Sequence, residues 1–236
     1  ILSPVVRFRA GQEGLVRDLA EMAKRLGASK RHLRAAVAAG SAAQQRFRAA
    51  LREVGDRALQ ALAESGEPGV VLIGRPYNMY DKGINMDVPR KLRKYYGVNV
   101  VPMDFLPLVG IDIRHIVPNM YWNYGRKILQ AACYTGHHPH LHIIYMTNFK
   151  CGPDSYVKHY VREACGRPFL TLQFDEHQND AGAMTRCEAY LDSKGFLRWW
   201  SDAALEGTAD LRPGSDPRSA CLSDERDEGL CVEASV

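Results

Sequence analysis

Between residues 70 and 193 the chain alternates short apolar runs with stretches of helical spacing, and this alternation restricts the possible folds more than any other feature. Val70-Val71-Leu72-Ile73, Val98-Asn99-Val100-Val101, Leu141–Met146 and Phe169–Phe174 are the apolar runs. Runs this short, with little polar alternation, suit strands covered on both faces, as in a parallel sheet. Between and after them the spacing predicts helices over 88–96, from Pro118 to about 134, over 154–165 with Gly166 as its stop, and over 181–193 behind Asp180. Repeated strand–helix–strand units imply an α/β fold: a Rossmann-like, mostly parallel sheet with helices on both faces.

A helical segment precedes this region. Leu15, Leu19, Met22, Ala23 and Leu26 fall on one helical face, with Gly27 as a stop. Ser29 is placed to cap a second helix. Phe47, Leu51, Val54, Ala58 and Leu62 mark a third, which ends near Gly66. The expected organisation is therefore a helical segment over 1–66, a Rossmann-like domain over 67–200, and a disordered polar tail over 201–236. Charge follows these divisions. Residues 1–66 hold twelve Lys and Arg against six Asp and Glu, whereas residues 201–236 hold three against nine. The basic excess fits solvated helix faces and gives no reason to expect nucleic acid as a partner. No window reaches the roughly 18 apolar residues of a membrane span. The chain starts at Ile1 with no secretory pattern, so it is read as part of a longer, cytoplasmic protein.

Cysteines occur at 133, 151, 165, 187, 221 and 231, with no C-x-x-C pair. A 236-residue chain that is 46% hydrophobic needs no disulfide staples, so reduced thiols are expected. Cys133, Cys165 and Cys187 fall within predicted helices, where packing accounts for them. His137, His138, His140 and His142 precede or enter a strand whose alternation separates neighbouring rings, which favours loop histidines over a metal site. Neither a G-x-x-x-x-G-K-[ST] phosphate loop nor a G-x-G-x-x-G fingerprint is present.

In open parallel sheets ligands collect beyond the carboxyl ends of the strands. Those ends carry Gly74-Arg75-Pro76-Tyr77-Asn78, Pro102-Met103-Asp104, Thr147-Asn148-Phe149-Lys150-Cys151-Gly152-Pro153-Asp154 and Asp175-Glu176-His177. Arg75, Tyr77, Asn78, Asp104 and Asn148 are the candidate cofactor-binding residues, and Asp175, Glu176 and His177 the candidate acid–base group. Cys151 lies between a strand end and a helix start, where free N–H groups and the helix dipole favour a thiolate. Such a thiolate ligates iron or acts as a nucleophile; a small buried thiol packing as a hydrophobe is the third option.

These strand-end blocks, together with Asn119-Met120-Tyr121-Trp122 and Asp180-Ala181-Gly182, resemble the C-terminal region of the CoA-substrate-specific enzyme activase-related proteins. The resemblance extends over about residues 3–197. It implies kinship with the 2-hydroxyacyl-CoA dehydratases and double-cubane cluster proteins, where Rossmann-like domains hold an iron–sulfur cluster of the 4Fe-4S kind through loop cysteines. It also implies an ATPase activase domain or subunit, and an acyl-CoA dehydratase, as partners in low-potential electron transfer. Cys151, in the block Asn-Phe-x-Cys-Gly-Pro-Asp, is the metal ligand that the resemblance implies. The remaining ligands are expected from outside this chain, since a cluster needs about three or four thiolates. The alternative is a metal-free hydrolase or transferase with Cys151 as nucleophile and His177 as base.

Overall fold

The computed structural model describes residues 1–148, 151–176 and 179–197. The tail over 201–236, and with it Cys221 and Cys231, lies outside the described residues. Two compact units are formed, Ile1–Arg57 and the chain from Ala58 onward.

In the first unit, α1 (Gly11–Arg25) is followed by α2 (Lys30–Ser65), which continues past the unit boundary. Val16 and Ala23 of α1 form a small core with Leu33 and Val37 of α2, and Leu15, Leu19 and Ala28 pack beside it. Ser29 caps α2 as expected, its hydroxyl accepting from the His32 amide at 3.2 Å. The separate second and third helices expected from the sequence are one helix of 36 residues. No proline interrupts 30–65, and each interior glycine weakens a helix by only about 1 kcal/mol relative to alanine.

The second unit holds a four-stranded, all-parallel sheet in the order β2-β1-β3-β4. Its strands are β1 (Gly69–Gly74), β2 (Asn99–Pro102), β3 (Leu141–Asn148) and β4 (Leu170–Phe174). Register pairs Val71 with both Val101 and Ile143, and Met146 with both Gly74 and Leu172. The two central strands are almost wholly buried, which explains their continuous apolar sequence.

Three helices connect β1 to β2: α3 (Pro76–Tyr80), α4 (Lys82–Asn85) and α5 (Val88–Tyr96). The chain then returns across β1 through α6 (Asn123–Gly136) to β3, and through α7 (Gly152–Cys165) to β4, ending in α8 (Ala181–Ser193). Right-handed crossovers in opposite directions put α5 on one face of the sheet and α6 with α7 on the other. Accordingly α6 packs on α7, while Lys91 of α5 pairs with Asp180 at the start of α8. Leu62, in the last turn of α2, closes over Gly69, where a methyl group would lie 3.0 Å from the leucine.

The helix expected from Pro118 begins only at Asn123. Residues 106–122 form an irregular strap instead, burying Leu106, Leu108, Ile113, Ile116, Val117 and Met120. Two side chains of α6 hold it down: Gln130 donates to the Ile111 carbonyl at 2.9 Å, and Arg126 to that of Met120 at 3.0 Å. Gly166 ends α7 as expected, in the left-handed conformation (φ 67°) with its amide donating to the Arg162 carbonyl.

Candidate functional site at the β1–β3 switch point

All four strands run the same way, so the segments after them share one edge of the sheet. The connection after β1 leaves toward β2 and the one after β3 toward β4. Their divergence opens the crevice where doubly wound sheets bind ligands.

Gly74 makes the close approach of these strand ends possible. Its φ is 153°, and a Cβ there would stand 2.3 Å from the Met146 carbonyl oxygen. The next residue, Arg75, turns back across the crevice. Its Nη2 donates to the side-chain oxygen of Asn148 and, at 2.9 Å, to Oδ2 of Asp154. Asp154 belongs to the first turn of α7 and is 3% exposed. Besides Arg75, it accepts from the hydroxyls of Thr147 at 2.5 Å and Tyr145 at 3.3 Å. Tyr145 and Thr147 are two residues apart on β3 and so share a face of the strand. Burial, and then the Asp154 charge, push the Tyr145 phenol up, so it stays a neutral donor. A carboxylate this buried is tolerable because three donors satisfy it, and removing the partner from such an ion pair costs about 3–5 kcal/mol.

Arg75 also lies over the half-exposed ring of Tyr77, with Cζ 4.8 Å from the centroid. Asn78 is fully buried; its amide nitrogen reaches toward the Met146 carbonyl at 3.4 Å. Its own carbonyl accepts from Asn85, whose side chain also holds the Met79 carbonyl and the Asp87 amide. That bracket carries the chain through Met86 and Asp87, both left-handed at φ 54° and 56°.

Asp104 occupies a separate group after β2. It pairs with Lys127 of α6 and accepts from the Tyr80 hydroxyl at 2.7 Å. Asp175 and Glu176 follow β4 on the same edge, while His177 lies outside the described residues. The structure thus joins Arg75, Tyr77 and Asn148 around Asp154, and gives Asp104 different partners. Tyr145, Tyr80 and Lys127 were not singled out from the sequence, and Thr147 and Asp154 figured there only as members of a strand-end block, with no role given. For Tyr145 and Thr147 the available signal was a pair of polar groups at alternate positions of an otherwise apolar strand.

Cys151 is the N-cap of α7, half-buried, and its side chain makes no capping hydrogen bond. The Ser155 amide donates to its carbonyl at 2.9 Å, which begins the helix. The other described thiols lie elsewhere. Cys133 and Cys165 sit in the last turns of α6 and α7, each just before the chain re-enters a strand, and therefore at the opposite edge. Burial raises both thiols, and it pushes the fully buried Cys187 up to about 12. They are packed as protonated side chains. Among the described residues no group of three or more His, Cys, Asp and Glu could hold a metal ion. Of the described thiols, Cys151 is the one that directly follows the carboxyl end of a strand.

His137, His138 and His140 lie between α6 and β3, whereas His142, expected in a loop, lies within β3. His137 and His138 each place Nδ1 2.7 Å from the carbonyl four residues back, and His138 stacks on Tyr134.

Comparison with known families resolves the N-terminal part of this arrangement. The CoA enzyme activase uncharacterised domain (DUF2229) matches residues 1–106. That stretch is similar to this family. The DUF2229 match takes in α1, α2, β1, the α3–α5 connection, β2 and the 3-10 turn Met103–Phe105 that holds Asp104. It includes Arg75, Tyr77, Asn78 and Asp104, whereas Asn148, Cys151 and the residues after β4 lie beyond it. The resemblance drawn from the sequence is thereby established over residues 1–106, as a domain associated with CoA enzyme activases. No curated protein and no solved structure matches the chain. No helix among the described residues is long and apolar enough to cross a membrane.

Proposed function

We propose that this chain is an iron–sulfur-linked electron-transfer region of an ATP-dependent activase system of the 2-hydroxyacyl-CoA dehydratase type, working in the cytoplasm. The observation that carries the reading is the DUF2229 match, whose strands β1 and β2 share a sheet with β3, the strand that leads to Cys151. Cys151 is the half-buried thiol of the four described, and it stands at the switch-point edge with no capping hydrogen bond from its side chain. In this reading it supplies one thiolate to a cluster, and the other ligands come from outside the described residues. Arg75, Tyr77, Asn78, Asp104 and Asn148 shape the edge around that ligand, with Asp175 and Glu176 on the β4 side; His177 remains the third candidate of the acid–base group. An ATPase activase domain or subunit is the source of low-potential electrons, and an acyl-CoA dehydratase is the acceptor.

The test is anaerobic purification of the full-length protein, followed by iron and sulfide analysis of wild type and Cys151→Ser. Iron should fall in Cys151→Ser while far-UV circular dichroism stays unchanged. Equal iron in both proteins would refute the ligand role and favour Cys151 as a nucleophile.

A further inference from the structure

We infer that Asp154 is the positioning residue of the Cys151 crevice, holding the Arg75 guanidinium in place and compensating its charge beside the thiol. This deepens the proposed role of Cys151, and so rests on it, by naming what sets the charge beside that thiol.

The argument starts from where the charges lie. Asp154 follows Cys151 by three residues in the first turn of α7, so the two are about one helical turn apart. The Arg75 guanidinium is bonded to Asp154 at 2.9 Å and is itself largely buried. Tyr145, which donates to the Asp154 carboxylate at 3.3 Å, stands on β3, the strand that leads into Cys151. Nothing else described forms a salt bridge with Arg75, and Asn148, its other partner, is neutral. Thr147 donates to the same carboxylate oxygen as Arg75, and Tyr145 to the other, so β3 anchors the carboxylate independently of the arginine. The guanidinium is therefore held by a rigid anion, and without that anion its positive charge would face the crevice uncompensated. Any negatively charged group at Cys151 meets an arginine whose field Asp154 already offsets.

The experiment uses the full-length chain, reduced and stripped of metal with a chelator, at one fixed pH. Cys151 alkylation is followed by mass spectrometry of its peptide, once with neutral iodoacetamide and once with anionic iodoacetate. The ratio of the two rates cancels the thiolate fraction and reads only the local charge. A unit charge within a Debye length changes the rate with a singly charged reagent by about three- to fivefold at low salt. Asp154→Asn should raise the iodoacetate-to-iodoacetamide ratio by that factor. Arg75→Gln should lower it by a similar factor, and the double variant should return it to the wild-type value. In about 1 M salt, where the Debye length is about 3 Å, the differences should collapse. A purely structural loss would move both reagents together and leave the ratio alone.

An unchanged ratio in a folded Asp154→Asn protein overturns the inference, as does a double variant that fails to restore it. Should Asp154→Asn not fold, Arg75→Gln decides: an unchanged ratio there refutes the proposal equally. Because the measurement is made without metal, finding no iron in the full-length protein would end the cluster reading and leave this result standing. Iron present with an unchanged ratio would do the reverse.

Discussion

Arg167 offers the most direct measure of how the lower edge of the sheet is held together. Its Nη1 donates to the Pro139 carbonyl at 3.0 Å, and its Nη2 faces the carbonyls of Thr135, His138 and Leu141 at 2.5, 3.0 and 3.1 Å. One guanidinium thus closes the C-terminus of α6, the turn after it and the first residue of β3. Nη2 carries two hydrogens for three acceptors, so the set is worth about three full bonds in all. Charge-assisted hydrogen bonds contribute about 1.5–3 kcal/mol each, and part of that is recovered by water at a half-buried site. The cation also complements the helix dipole at the end of α6. Arg167→Met should therefore destabilise the domain by about 2–4 kcal/mol in urea titration, a fall of roughly 5–15 °C in melting temperature. Arg167→Lys keeps the charge but not the fork, and should recover less than half of the loss. Hydrogen exchange should localise the damage, because the amides of His138 and Leu141 bond within this turn. A loss below about 0.5 kcal/mol for Arg167→Met, or full rescue by lysine, would show that water replaces the fork and that the clamp reasoning is wrong.

Three further outcomes follow from the geometry. Gly74→Ala puts a methyl group 2.3 Å from the Met146 carbonyl, so it should cost more than about 3 kcal/mol and appear as a large fall in melting temperature; a near-neutral result would mean that β1 and β3 separate easily. His142 is lowered to about 4, chiefly by burial and then by Arg167, Lys194 and His140, below the ordinary 6.5. The unfolded chain therefore takes up a proton that the folded one refuses, and stability present above pH 6.5 should drain away down to about pH 4, by about 2 kcal/mol in all. His142→Gln should flatten that window in urea titrations at pH 7 and pH 4.5. Cys187→Ser places a hydroxyl in a fully buried apolar site and should cost about 1–2 kcal/mol while leaving the iron content of the full-length protein unchanged; a loss of iron would make Cys187 a ligand.

The strands were legible in the sequence because all four are short apolar runs with little room for another reading, and α5 and α8 fall where the spacing puts them. The strap over 106–122 was not legible. Ile113, Ile116, Val117 and Met120 have helix-like spacing but are buried by tertiary packing, with Gln130 and Arg126 supplying hydrogen bonds from another element. The unbroken α2 was missed because the apolar residues from Phe47 to Leu62 were read as a helix separate from the one that Ser29 caps. At the site, Arg75 and Asn148 could be picked out as strand-end residues. Their mutual bond depends on β1 and β3 being neighbours, which no local pattern reveals. Asp154 reads from the sequence as an ordinary acidic residue in a helix's first turn. Its real partners, Arg75 and Thr147, come from two different strand ends.

The contrast among the four described thiols has a practical side. Cys133, Cys165 and Cys187 are sealed in apolar packing with raised pKa values, while Cys151 is half-open at an edge. Thiol-directed reagents at neutral pH should therefore treat residues 1–197 as a single-cysteine protein. Once Cys221 and Cys231 are replaced, a fluorophore or spin label could be placed beside the switch point without touching Cys133, Cys165 or Cys187. Any motion of the crevice when partners are added could then be followed from the one position best placed to sense it.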